Sequence, residues 1–398
     1  VSTLRIAYVS TYPPTPCGIA EYTGSLVRAI RGLSSLDLSV LADDIGGFRT
    51  RMGVEMPVIP VFTPGKPCYG RLLKAAREHG PFDLIHIQHE YGLFRPTVRT
   101  LEAFRRLKKY CGKLMVTMHT VVGFVKRKVA EHQEKLCKLA DAIIVHSILQ
   151  EYELLSQGVN PSKVQRIPHG TTIAGFSELD PGEALERLGL PNLKGKFLFA
   201  SLGFIRRDKG QDALIRAFKK VHERNPDTAL IIAGVPQRKT GIKQASKLDS
   251  MRAADDGDDI IMLRRYLTND EIDLLLRAAN VVVFSYKERP GLWSVSGAFH
   301  KTIGSFKPVI CSKVPRLAEC SMVAPDLVVP PDNVEALAEK MMAAVTSYEE
   351  FAEKSKPLTE LALSTSWRKI AESHLSLYQR LLGEHRVLMA KTVKPGFI

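Results

Sequence analysis

The stretch Val281-Val282-Val283-Phe284-Ser285-Tyr286-Lys287-Glu288-Arg289-Pro290-Gly291-Leu292-Trp293-Ser294-Val295-Ser296-Gly297-Ala298 decides the fold. Its opening run of β-branched and aromatic residues reads as a strand buried on both faces, the habit of a parallel sheet. A polar loop with proline and glycine follows, then a helix through Gly304. Ser294 or Ser296 can cap that helix and Gly297 leaves its first turn open, so its N-terminus can hold phosphate. Glu288, just upstream, can accept hydrogen bonds from sugar hydroxyls. A plain capped helix explains the serines but not glycine, proline and carboxylate together.

Working outward, the same strand–loop–helix alternation fills the chain, as expected of α/β domains with parallel sheets. Residues 4–10, 36–42, 83–88, 114–119 and 142–146 read as strands of a first doubly wound domain. Residues 197–202, 228–233, 260–263, 281–285 and 308–311 read as those of a second, with helices at 211–222, 269–278 and 334–344. A Pro/Gly-containing stretch makes 172–195 the expected linker. The chain thus divides into 1–175, 176–365, and a helical end at 366–398 whose helix, 367–382, is long enough to pack outside its own domain. Open parallel sheets bind ligands at the carboxyl ends of their strands, so two such domains facing each other define a cleft.

The composition suits this picture. With 398 residues, 45% hydrophobic and 25% charged, the chain is too long for one core. The start reads as a strand rather than a secretory signal, and no run of eighteen apolar residues suggests a membrane span. The expectation is a cytoplasmic protein, peripheral on a membrane at most. Six cysteines show no metal-ligand spacing, so no metal is expected. A net charge of +14 favours phosphate-bearing partners. The run Asp255-Asp256-Gly257-Asp258-Asp259 contains D-x-D but precedes a strand, so it reads as a solvated loop. Basic helices carrying Arg99, Arg105, Arg106, Lys108 and Lys109, and Lys126, Arg127, Lys128, Lys135 and Lys138, suit either a charged outer face or an anionic membrane. Nucleic-acid-binding signatures are absent.

Three further loops stand where ligands meet such sheets. After the first strand, Gly18 precedes a helix and lets backbone N–H groups approach an anion or sugar hydroxyl. Without G-x-G-x-x-G, a dinucleotide cofactor is disfavoured. The strand ends Gln88-His89-Glu90 and Met118-His119-Thr120 place polar groups directly after apolar runs. In the second half, Gly203-Phe204-Ile205-Arg206-Arg207-Asp208-Lys209-Gly210 sets three cations between strand and helix, where Lys209 and an arginine can neutralise a diphosphate leaving group.

Taken in order, the Gly18 loop, His119, Ile167-Pro168-His169-Gly170, Gly203 to Gly210, the segment from Val281 to Val309, and a final helix with Trp367 and Tyr378 resemble the retaining GT-B glycosyltransferases of family 4. The resemblance implies two Rossmann-like domains across a cleft, with the C-terminal helix returning to the first. It also implies transfer of a hexose from GDP-mannose or a UDP-sugar to a carbohydrate or lipid-linked acceptor, with no metal or other cofactor. It assigns His119, Glu288 and Lys209 to catalysis. Donor binding falls to Gly18, Gly203, Arg206, Arg207, Lys209, Leu267, Glu288, Gly291, Leu292, Ser294, Ser296 and Gly297, and the acceptor side to Gln88, His89 and Glu90. Retention of configuration would follow front-face attack, with the departing phosphate oxygen helping to remove the acceptor proton. Three features depart from the pattern: Ser296 stands where the second glutamate of E-x7-E is expected, Phe204 where arginine is common, and Thr171-Thr172 follow Gly170 where a hydrophobic-Asp pair is frequent. The alternatives are a sugar phosphorylase of the same fold, an inactive sugar-nucleotide-binding protein and, remotely, a nucleic-acid-binding protein.

Overall fold

Each sheet is built from short strands whose side chains are buried on both faces, so helices must cover both. The computed structural model describes residues 3–44, 56–174, 179–253 and 259–383, apart from the side chain of Arg238. In chain order the strands are β1 (Arg5–Ser10), β2 (Asp37–Asp43), β3 (Val58–Phe62), β4 (Phe82–His89), β5 (Cys111–Met118), β6 (Thr120–Val122), β7 (Ala142–Val145), β8 (Val164–Arg166), β9 (Phe197–Leu202), β10 (Thr228–Ala233), β11 (Ile260–Leu263), β12 (Val281–Phe284), β13 (Leu292–Ser294), β14 (Val309–Ser312) and β15 (Val328–Val329). All but β6 and β13 form two parallel sheets, ordered β3-β2-β1-β4-β5-β7-β8 and β11-β10-β9-β12-β14-β15. Both follow the doubly wound order, in which the crossover direction reverses beside the first strand and opens a crevice at the carboxyl edge.

The chain divides into two compact units. One comprises Val1–Gly170, Gly291–Val295 and Trp367–Ile398; the other comprises Thr171–Pro290 and Ser296–Ser366. Residues 291–295 depart from the contiguous second domain drawn from the sequence. They carry β13, which pairs antiparallel with β6 in the first unit, Ser294 opposite Thr120 and Leu292 opposite Val122. Within the expected linker, residues 179–195 fold into helical turns. Pro181–Arg187 is a helix capped by Asp180, whose carboxylate accepts from the amides of Gly182 and Glu183. The Asp-Pro-Gly that resembles a turn is an N-cap followed by proline at the first helical position. Ala184 and Leu185 anchor this helix in the core of the second unit.

In the first unit, alternation along β1 sends Ala7 and Val9 to one core and Ile6 and Tyr8 to the other. The second of these cores also takes Ile370, Ala371, Leu375, Leu377 and Tyr378 from the C-terminal helix Trp367–Leu382, which packs against the helix Gly18–Leu33. Each such large side chain contributes about 1.5–3 kcal/mol on burial. Gly170 fits because a Cβ there would lie 2.3 Å from the Trp367 ring.

Candidate functional site

In the second unit the loops after β9 and β12, the two strands flanking the crevice, are sewn together. The Ser285 hydroxyl donates to the carbonyl of Gly210 (3.0 Å), and the Lys287 amide donates to that of Asp208 (3.0 Å). Gly210 is required at this join, since its φ is +65° and a Cβ would lie 1.7 Å from the Ser285 carbonyl oxygen.

The close approach gathers cations around one carboxylate. Asp208 is bonded by Arg206 at 2.6 Å and by Arg316 at 2.9 Å, with Arg289 at 3.7 Å. Burial alone would raise the Asp208 carboxyl, but the two nearer guanidiniums outweigh it and bring the pKa to about 2. Lys209 lies beside this group with Nζ 3.7 Å from the centroid of the Tyr286 ring. Loss of water around its amine, followed by repulsion from Arg316 and Arg206, holds its pKa well below the usual lysine range. The Arg206 Nε–H is buried without a hydrogen-bond acceptor. Three guanidiniums thus converge on Asp208, with the Lys209 amine beside them, a grouping whose chemistry suits an anion.

Tyr286 also fixes the start of the helix Gly297–Ile303. Its hydroxyl bonds Ser296 Oγ at 3.0 Å, and Ser296 in turn caps the helix by accepting from the Phe299 amide. Ser296, not Ser294, is the cap. Glu288 is exposed, and no hydrogen bond or ion pair occupies its carboxylate among the described residues.

In the first unit His119 directly follows β5 and is almost fully buried. Its Nε2–H donates to Gln88 Oε1 at 2.9 Å, and its amide donates to the His89 carbonyl. The Tyr22 ring stands edge-on to it at 4.8 Å, with His146 at 5.0 Å. Burial first, and then the neighbouring imidazoles of His146 and His169, hold His119 well below the ordinary histidine pKa, so the ring is neutral. Gln150 steadies the backbone, donating to the carbonyls of Met118 and His119.

The structure brings Arg206, Lys209 and Gly203 to the β9 loop, with Arg207 exposed there, and Ser296 and Gly297 to the helix start. Gly291, Leu292 and Ser294 are counted with the first unit, against β6. Leu267 is buried in the second unit's core beside the capping Thr268. Gly18 is the exposed first residue of its helix, with open space where a Cβ would stand. On the acceptor side, Gln88 and His89 are fully buried and not presented to a ligand; β4 runs through His89, so both side chains lie within the sheet's packing. Glu90 is partly exposed and accepts from Thr120 Oγ1 at 2.7 Å. Asp255 to Asp258 lie outside the described residues. Asp259 pairs with Lys196.

Sequence reasoning missed Asp208 as the hub, Arg289 and Arg316 as its partners, and Tyr286 as the platform. Only Arg316 had no signal at all, since it sits on a turn after β14, more than a hundred residues from Lys209. Among the described residues, no group of three or more His, Cys, Asp or Glu side chains is placed to hold a metal. No helix among them is long and apolar enough to cross a membrane.

Two family models match successive parts of the chain, Glycosyltransferase Family 4 over residues 18–174 and Glycosyl transferases group 1 over residues 196–347. Among curated proteins, the D-inositol 3-phosphate glycosyltransferase of Thermobifida fusca is 27% identical over 265 residues, 61% of this chain and 57% of that protein. The protein of the same name from Nocardiopsis dassonvillei is 27% identical over 217 residues, 50% of this chain and 49% of its own. The chain thus spans about half the length of the curated relatives it matches. Among solved structures, the sucrose-phosphate synthase of Thermosynechococcus elongatus superposes with a TM-score of 0.74 at 20% identity, covering 96% of this chain and 99% of that one. Anabaena Alr3699/HepE in complex with UDP-glucose gives 0.75 at 15% identity, covering 95% and 100%. At these identities the likeness of structures establishes the fold.

Proposed function

Because the chain belongs to the family 4, group 1 glycosyltransferases, we propose that it transfers a hexosyl group from a nucleotide-diphosphate sugar to a hydroxyl of a carbohydrate or lipid-linked acceptor. The observation that carries this reading is the convergence of three guanidiniums on Asp208 beside Lys209. Arg206, Arg289, Arg316 and Lys209 match a diphosphate, whose negative charge grows as the sugar departs. A UDP-sugar is favoured over GDP-mannose by the fold neighbour that holds UDP-glucose. Glu288 has a carboxylate free to take the sugar hydroxyls, and His119 offers a neutral imidazole to the transferred sugar. Ser296 is committed to its cap and to Tyr286, so the ribose is held by other groups. Departure of the diphosphate and capture of the acceptor proton by its oxygen would retain configuration and need no metal.

Calorimetric titration with UDP, GDP and ADP tests the reading, followed by transfer assays with the matching sugar conjugates and acceptors that include inositol phosphates. Tight binding of one nucleotide, lost in Lys209→Ala, supports it. Sugar release that depends on inorganic phosphate would instead favour a phosphorylase. Binding without turnover on any acceptor would favour an inactive sugar-nucleotide-binding protein.

A lipid-linked acceptor has its own support in the first unit. The helices Val98–Leu107 and Arg127–Leu139 both begin at the carboxyl edge of the sheet and run side by side, Lys108 Nζ reaching the Leu139 carbonyl at 3.2 Å. Near their starts Val98, Phe124 and Val125 are 81%, 65% and 82% exposed. Arg95, Arg99, Lys126, Arg127 and Lys128 surround them in sequence, and neither 91–101 nor 120–130 contains an acidic residue. Apolar tips among cations suit an anionic lipid surface. Co-sedimentation with anionic vesicles, lost in Phe124→Asp and absent with neutral vesicles, is the expected result. Equal recovery of both proteins would overturn it.

A further inference from the structure

We propose that Tyr378, His86 and Gln88 are positioning residues that set the tautomer of His119 through an unbroken line of buried hydrogen bonds starting on the C-terminal helix. The significance for transfer rests on the role given to His119 above; the line itself rests on geometry within the first unit.

The protonation pattern follows from the partners. Gln88 Oε1 can only accept, so His119 carries its proton on Nε2 and keeps a lone pair on Nδ1. Gln88 Nε2 can only donate, and it lies 3.3 Å from His86 Nε2, so that atom holds the lone pair. The Thr117 hydroxyl, 2.7 Å from the same nitrogen, is a second donor to it. His86 must then carry its proton on Nδ1 and donate it to the Tyr378 hydroxyl at 2.8 Å. Tyr378, having accepted, donates to the Tyr8 hydroxyl at 2.7 Å. All six side chains are buried, away from competing water.

The surroundings oppose any escape by protonation. His146 and His374 each place Nδ1 against a backbone carbonyl, that of Ile167 and that of Ile370, so both carry a proton on Nδ1, and burial brings the pKa of His374 to about 4. Burial and the neighbouring rings of His374 and His146 hold His86 well below its usual pKa. A ring that cannot take a second proton can change only by exchanging tautomers, and the line fixes which one His119 adopts.

The test is 15N NMR of histidine-labelled full-length protein, read with steady-state transfer kinetics. Wild type is expected to show His119 protonated on Nε2. In Tyr378→Phe, His86 loses its acceptor and reverses, Gln88 turns, and His119 shifts toward the Nδ1–H form. Turnover should fall on the order of a hundredfold, as for a reacting group misplaced by about an ångström, while the KM for the nucleotide sugar changes less than threefold. Tyr8→Phe leaves Tyr378 able to accept from His86, so it should preserve the tautomer and most of the turnover. This control separates positioning from a general loss of packing. If Tyr378→Phe does not fold, Gln88→Leu supplies the same comparison one step closer to His119. An Nδ1-protonated His119 in wild type, or an unchanged tautomer in folded Tyr378→Phe or Gln88→Leu, overturns the proposal. A tautomer that shifts as expected in a protein that binds no nucleotide sugar would instead count against the transferase reading alone.

Discussion

Replacing Lys209 with Met should separate two effects of opposite sign. Methionine keeps an unbranched chain against the Tyr286 ring and removes only the ammonium, whose Nζ sits 3.7 Å from the ring centroid. Without ligand that ammonium destabilises the fold, because burial and the guanidiniums of Arg316 and Arg206 push its pKa well below 10.5. A base whose folded pKa lies below its unfolded value weakens the fold at every pH below the unfolded value, and the penalty fades as the pH approaches 10.5. Each pH unit of that interval is worth about 1.4 kcal/mol, a ceiling near 5 kcal/mol at pH 7. The lysine keeps partial contact with water, so screening reduces the expected gain to about 1–2 kcal/mol, or a melting point roughly 1–3 °C higher for a chain of this size. With a nucleotide diphosphate the sign reverses. A cation about 5 Å from a phosphate charge, at an effective dielectric constant of about 20, contributes about 3 kcal/mol, so UDP affinity should fall about 30- to 150-fold. Wild type should also take up protons on binding, since the diphosphate raises the lysine pKa, and its affinity should decline as pH rises. Thermal unfolding with and without UDP, and calorimetry in two buffers of different ionisation enthalpy, read all three effects. A variant that melts below wild type without ligand, or that keeps its UDP affinity within threefold, refutes the reasoning.

Glu288→Gln should leave the melting point within about 1 °C and UDP binding intact, because the carboxylate has no partner to lose; transfer should fall by roughly a hundredfold or more, and near-normal turnover would remove Glu288 from the site. Gly210→Ala adds a Cβ against the Ser285 carbonyl at a positive φ and should cost at least about 2–3 kcal/mol, read as a lower midpoint in urea. Asp208 has a folded pKa of about 2 against 3.8 unfolded, so it contributes stability that is present above about pH 4 and is lost as the pH falls through 2. Asp208→Asn should lower stability at pH 7 by about 2–3 kcal/mol and flatten acid unfolding over that window; an acid limb identical to that of wild type would show that the ion pairs are not coupled to folding.

Most of the strands are legible in the sequence because their two-sided burial writes them as unbroken apolar runs. Residues 197–202, 228–233 and 260–263 fold with the ends the pattern gives. β3 escapes because Pro60 interrupts it, and proline is tolerated there only because β3 is an edge strand. β6 and β13 are three residues each and pair across some 170 positions, a contact that no local period encodes. The same limit hides Arg316, whose place at Asp208 depends on how β14 lies in the sheet rather than on anything near it in the chain. His89 lies within the sheet because β4 runs one residue past its expected end, while Gln88, already inside the expected strand, turns its side chain into the packing. The cation loop at Gly203 to Gly210 was legible because glycine and charge occur together at the end of an apolar strand.

The two units carry their unsatisfied chemistry in opposite forms. In the second, Arg206, Arg289 and Arg316 converge on Asp208 beside a Lys209 amine whose pKa burial and guanidinium repulsion hold well below the usual lysine range. In the first, burial and neighbouring imidazoles hold His86, His119 and His374 below the ordinary histidine pKa, so these three are neutral near pH 7. Under the proposed reaction this constrains where the acceptor proton goes. His119 can orient a sugar hydroxyl with its lone pair, but taking up the proton would place a cation among His86, His89, His146 and His169, which the same surroundings resist. The departing diphosphate oxygen gains basicity as the glycosidic bond breaks, and it does so where Arg206, Lys209, Arg289 and Arg316 bear its charge. Under the proposed reaction the acceptor proton would leave with the diphosphate, a route that a neutral His119 suits.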